Sequence, residues 1–184
     1  MLVNIASEIK DFAIDEHNKA VYSSVFDYFF GIEGDLDLKK GLWIEGDIGT
    51  GKSTMMRLFS ELLKKQFKGF KIYDCTRVSN DYAINCDLDR YTYNQSGYNG
   101  EPVNMCFDEL GKETIPSIHF GQKLNVMQHI LHVRYTLWQG YGVKTFVTTN
   151  DGIKDIENKY GSYIKDRCIE MFNFVSMTGK SRRK

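Results

Sequence analysis

Residues Gly46-Asp47-Ile48-Gly49-Thr50-Gly51-Lys52-Ser53 fit the pattern G-x-x-x-x-G-K-[ST] at every position. The pattern constrains the chain on both sides. Its glycines let successive backbone N–H groups turn inward around an anion, where a Cβ would block the approach. Such a loop needs a strand leading in and a helix leading out, because the helix N-terminus adds its dipole to the anion site. Residues 41–45 read as that strand. Residues 52–67 read as that helix, with Met55, Met56, Phe59, Leu62 and Leu63 on one side. This context favours a phosphate cradle over a tight turn that binds nothing. Residues Gly46 through Thr54 become candidate nucleotide-binding positions. The Lys52 ammonium is suited to the β- and γ-phosphates and the Ser53 hydroxyl to a magnesium ion, so the expected cofactors are ATP and Mg.

The rest of the chain alternates strands and helices. A helix is predicted over 15–30, with Asp15 as its cap and Val21, Val25, Tyr28 and Phe29 on one face. Strands are predicted at 70–75, 103–107, 144–148 and 172–177, and helices at 122–139 and 155–170. Residues 79–101 and 111–120 read as loops, the second containing Pro116. Alternation of this kind argues for an α/β fold, a parallel sheet covered on both faces. Ligands in such sheets bind beyond the carboxyl ends of the strands.

The loop at 46–53 and two further features fall at that edge. Asp108-Glu109 follows the apolar run 103–107, which suits a magnesium-binding Asp108 and a water-polarising Glu109. Asn150 follows Thr148-Thr149, and its amide suits either a catalytic water or a plain turn with Asp151-Gly152. Asp166-Arg167 lies late in the last helix. Arg167 suits a phosphate contact or a surface ion pair, and spacing does not separate the two. His129 and His132 are three apart on a helix but bring no third ligand. Tyr82, Tyr91, Tyr93 and Tyr98 are candidates for stacking on bases, although only Arg90 supplies a cation nearby. The basic tail 179–184 is either solvated or in contact with phosphates.

Lys plus Arg and Asp plus Glu each number 24 in the 184 residues, so the chain is not a bulk polyanion binder. That length suits one domain over 1–184, with 1–40 as a helical extension packed on the core. Cys75, Cys86, Cys106 and Cys168 lack ligand spacing and read as reduced thiols. No apolar run is long enough to span a bilayer, and the first residues do not look like a signal peptide. A cytoplasmic protein without a membrane partner is expected.

Taken together, these features resemble the AAA+ ATPases of the DnaC-like helicase loader group. The resemblance rests on the loop at 46–53, Asp108-Glu109-Leu110-Gly111, Arg134-Tyr135 and Thr148-Thr149-Asn150. Tyr160-Gly161, Asp166-Arg167, Glu170-Met171-Phe172-Asn173 and Gly179-Lys180-Ser181-Arg182-Arg183 extend it. It runs from about Phe12 to the end of the chain, and the IstB-like transposition ATPases share the core. The resemblance implies a five-stranded parallel sheet in the order 5-1-4-3-2. It implies that Asn150 is the sensor-1 residue and that Arg167 is an arginine finger acting on a neighbour's nucleotide. A homo-oligomer, open ring or spiral, follows from a finger in trans. The implied partners are single-stranded DNA and a replicative helicase. About 40 residues precede the strand that leads into the loop, so a separate N-terminal helicase-binding domain like the group's is not expected. The helical lid of typical AAA+ proteins, which the group also lacks in full, is not expected either, and this predicts weak, slow hydrolysis. Alternative readings are a transposition or recombination helper ATPase, an ATP-dependent DNA-binding switch with incidental turnover, and a small-molecule kinase. The kinase reading is disfavoured because residues 79–101 and 111–120 carry only Arg90 and Lys112 as cations.

Overall fold

The computed structural model describes residues 14–16 and 18–181. In chain order, helix α1 spans Lys19–Phe30, strand β1 Gly41–Glu45, α2 Lys52–Lys64, β2 Lys71–Asp74 and α3 Cys75–Asn85. Strands β3 (Met105–Leu110), β4 (Ser117–His119) and β5 (Gln122–Leu124) follow. The chain ends with α4 (Val126–Tyr141), β6 (Thr145–Thr149), α5 (Ile153–Tyr160), α6 (Ser162–Met171) and β7 (Phe172–Ser176). The five main strands are parallel, in the order β2-β3-β6-β1-β7. Counted along the chain that is 5-1-4-3-2, the order the resemblance implies.

Side-chain alternation along the strands divides the core into two layers. Trp43, Met105, Phe107 and Val147 face a cluster filled by α3, α4, α5 and α6. Leu42, Ile44, Cys106, Phe146 and Val175 face the other side, where α1 and α2 contribute Tyr22, Val25, Met55 and Phe59. Every residue assigned to the apolar side of α2 is buried. The connector after α1 is stitched to the sheet edge. Asn173 Nδ2 donates to Asp37 O and Gly41 O, and Tyr28 Oη donates to Lys40 O at 2.5 Å.

Several predicted boundaries are corrected. Helix α1 begins at Lys19, because Asp15 and Asn18 exchange backbone-to-side-chain hydrogen bonds in a preceding turn. Helix α2 ends at Lys64, where Phe67 takes a φ of 58° and Lys68 N bonds back to Leu63 O. The loop predicted over 79–101 instead begins inside α3. Asp74 caps that helix by accepting from Arg77 N, and Cys75, Val78, Ser79 and Tyr82 form a short buried stripe at helical spacing. The loop predicted over 111–120 carries a hairpin strand, β4. Phe120 and Gly121 both take positive φ (44° and 88°), the signs of a two-residue type I′ turn. The predicted helix 122–139 gives its first residues to β5, and Asn125 caps α4 through Gln128 N. The predicted helix 155–170 is broken at Gly161, φ 89°, into α5 and α6. Strand β3 extends through Asp108 and Glu109 instead of stopping before them.

All four cysteines are free thiols; Cys75, Cys106 and Cys168 are buried and Cys86 is exposed. No helix among the described residues is long and apolar enough to cross a membrane. The described residues also contain no His/Cys/Asp/Glu group able to hold a metal by itself.

Candidate nucleotide site

The loop between β1 and α2 sits at the carboxyl end of the sheet. Gly46, Gly49 and Gly51 take φ of 143°, 82° and 101°, angles that L side chains rarely adopt. Thr50 Oγ1 donates to Asp47 O at 2.9 Å and braces the loop from inside. Lys52 is buried. Its Nζ donates to Gly46 O and Asp47 O, both at 2.7 Å, and to Asn150 Oδ1 at 2.8 Å. A buried ammonium held by carbonyl and amide oxygens, within a loop of glycines, fits a polyphosphate. These neutral oxygens can be exchanged for anionic ones at little cost in the lysine's own satisfaction. The third contact brings the end of β6 to the loop, joining two regions 98 positions apart in sequence.

The carboxylates lie one strand away. Asp108 is buried and accepts a short hydrogen bond from Thr148 Oγ1 of β6. Arg57 of α2 places Nη2 3.8 Å from Asp108 Oδ2 and supplies its counter-charge. Glu109 follows in the left-handed region, φ 60°, where the β3–β6 register shifts between Phe107 and Leu110. Such bulges re-aim a side chain next to functional sites, and this one leaves Glu109 exposed directly beside a buried Asp108. Side-chain hydroxyls fasten the bulge. Glu109 N donates to Thr148 Oγ1 at 3.1 Å, and Thr149 Oγ1 donates to Leu110 O at 2.7 Å.

Beyond the bulge, a polar network that the sequence reading missed ties the turns after β3 and β6 together. Lys159 Nζ donates to Gly111 O at 3.0 Å and to Asp151 Oδ2 at 2.5 Å. Buried Glu113 accepts from Gly111 N at 2.8 Å and from Tyr160 Oη at 2.5 Å. Burial first, then the Glu113 carboxylate, raises the Tyr160 phenol far above its ordinary pKa. The signal available in sequence was Gly111. Its φ of 93° is one that L side chains rarely adopt, and a Cβ there would stand 1.9 Å from Asp151 Oδ2, so the Asp151 side chain would have to shift.

Arg167 lies apart from this cluster. Its guanidinium sits 4.4 Å from the Tyr163 ring centroid and 4.8 Å from that of Tyr135, and Nη1 donates to His132 Nδ1. Burial first, then the charge of Arg167 and of His129, holds His132 below its ordinary pKa. The aromatic contacts on α4 and α6 replace the surface ion pair that Asp166-Arg167 suggested. Arg134, in contrast, is fully buried. It donates to Thr145 Oγ1, Val103 O and Lys144 O at 2.8, 3.0 and 2.7 Å, clamping the entrances of β3 and β6.

Of the tyrosines considered for base stacking, Tyr82 and Tyr91 belong to the core, while Tyr93 and Tyr98 are exposed. The segment after α3 is organised by Asp89, which accepts from Gln95 N and from the N–H and hydroxyl of Ser96. Those bonds, led by the Ser96 hydroxyl, hold its carboxyl below the usual range.

Among solved structures, the DnaC helicase loader superposes with a TM-score of 0.65 at 14% identity, over 89% of this chain and 92% of that one. The chain has the fold of the DnaC-like AAA+ proteins. A putative primosome component from Streptococcus pyogenes serotype M3 superposes at 0.62 with 20% identity, over 92% of this chain and 84% of that one. The AAA+ fold also matches the replication initiator DnaA bound to AMPPCP and single-stranded DNA. That TM-score is 0.64 at 14% identity, covering 93% of this chain but 49% of the initiator. No protein-family model matches the sequence, and no curated protein does so by sequence.

Proposed function

We propose that this chain is a magnesium-dependent ATPase of DNA replication, acting as a helicase-loader-like factor that engages single-stranded DNA. The observation that carries the reading is the Lys52–Asn150 hydrogen bond. It brings a complete phosphate-binding loop to the strand end that also fastens Asp108 and Glu109.

In this reading, the backbone of Gly46, Asp47, Ile48, Gly49, Thr50 and Gly51 and the first turn of α2, Lys52 to Thr54, hold the phosphates. Ser53 and Asp108 hold magnesium, which supplies charge neutralisation on the phosphate oxygens. Glu109 orients and polarises the attacking water, its exposure on the bulge leaving it open to solvent and to a neighbour. Asn150 reports the γ-phosphate by exchanging its bond to Lys52 for one to the nucleotide. Arg167 serves the nucleotide of an adjacent copy, since its own contacts lie on α4 and α6. The known structures of similar fold, loaders and an initiator bound to single-stranded DNA, support replication as the setting, and a replicative helicase as partner. The expected location is the cytoplasm.

The test is Mg-ATP binding and turnover by the full chain and two variants. Lys52→Ala is expected to lose binding by at least tenfold. Glu109→Gln is expected to keep binding while turnover falls by roughly a hundredfold or more. Turnover at the parent rate in Glu109→Gln removes Glu109 from its role.

A further inference from the structure

The basic tail has no part in the scheme above, yet its first residues lie against the phosphate loop. Met177 N donates to Glu45 O at 2.7 Å, carrying the β7–β1 pairing one step past Ser176. Met177 O then occupies the space a Cβ at position 46 would need, 2.1 Å away. Gly179 N donates to Asp47 Oδ2 at 3.3 Å. Ser181 Oγ lies 2.2 Å from where a Cβ at position 49 would stand. Two glycines of the loop therefore leave room for the segment that follows β7.

The tail also forms one wall of a cavity of about 760 Å³. Asp15, Asn18 and Val21 from the start of α1, the run from Ser176 to Ser181, and Thr50 of the phosphate loop all line it. The volume is in the range of small-molecule pockets, roughly 300–1,000 Å³. The pocket mixes apolar Val21 and Met177 with the polar groups of Asp15, Asn18 and Thr50, and Thr50 makes it continuous with the phosphate site.

We propose that this cavity receives the nucleoside end of the bound nucleotide and that residues 177–181 are a strap that closes it. The strap does locally what a lid would do from outside. This rests on the phosphate loop holding a nucleotide, as proposed above. It assigns the tail to the nucleotide rather than to DNA.

Gly179 permits a test in the full chain. It takes a φ of 143° with nothing near its missing Cβ, so Gly179→Val strains the strap without a clash in the core. Equilibrium binding of Mg-ATP and of Mg-tripolyphosphate is measured for parent and variant. The strap predicts at least a tenfold loss for Mg-ATP and less than about a twofold change for tripolyphosphate, which has no nucleoside. Equal changes for both ligands, or no change, overturn it. A parent chain that binds neither ligand refutes the phosphate-loop reading instead. A second measurement does not depend on the variant's fold. A dye on Ser181→Cys, in a Cys86→Ser background, should respond to Mg-ATP and not to tripolyphosphate. A response to single-stranded DNA alone, with none to Mg-ATP, returns the tail to nucleic acid and overturns the strap.

Discussion

Thr148 does two jobs with one hydroxyl. It donates to Asp108 and accepts from Glu109 N, so the carboxylate proposed to hold magnesium and the bulged glutamate are set by the same atom. Thr148→Val keeps the shape and removes both bonds. A buried carboxylate then loses a donor, and stability should fall by about 1–3 kcal/mol in a denaturant melt. Turnover should fall at least tenfold with Mg-ATP affinity nearly unchanged, because the phosphate loop is untouched. Unchanged turnover would mean that Glu109 is not positioned through this bond. The loop at 46–53 and the Asp-Glu pair were legible in sequence because each is a local pattern with a chemical reason. Thr148 was picked out there only as part of a motif, and its role was not legible, since it arises from a register shift between strands β3 and β6 that no local pattern encodes. Lys159 and Glu113 were invisible for the same reason, as charges that read as surface residues until the turns they bridge are in place.

Helix α4 carries two arginine contacts with different consequences. On its buried side, Arg134 is held by three oxygens and no carboxylate, and burial lowers its pKa to about 10. Arg134→Met should cost about 2–4 kcal/mol, since two strand-entry carbonyls and Thr145 lose a charged donor together. A melt within 1 kcal/mol of the parent would contradict the clamp. On the outer side, His132 accepts from Arg167 only as the neutral imidazole. Its folded pKa is depressed from the ordinary 6.5, so the unfolded chain binds more protons as pH falls through that value. Burial and the neighbouring positive charges thus favour a neutral His132 in the folded chain, and stability is lost as pH falls below about 6.5. The difference in Tm between parent and His132→Gln should shrink from pH 7.5 to 5.5, and a constant difference would refute it. Element types were largely predictable from apolar spacing, whereas their ends were not. Caps at Asp74 and Asn125 and the break at Gly161 decide those ends, and each depends on a single residue's φ or side-chain bond.

At the scale of the whole molecule, the phosphate loop, Asp108, Glu109 and Asn150 converge at one end of the sheet, and Arg167 does not join them. In the reading proposed above, with Arg167 serving an adjacent copy, the site is complete only where two copies meet. Mixing Glu109→Gln with Arg167→Ala, each inactive alone, should recover part of the parent turnover, because mixed assemblies contain interfaces with both residues intact. No recovery would place Arg167 outside the reaction. The most direct test of the central claim is the Mg-ATP turnover rate per chain, measured across protein concentration. The account predicts a low rate at dilution that rises toward a plateau as copies associate. A rate per chain independent of concentration, or no turnover at any concentration, would contradict it.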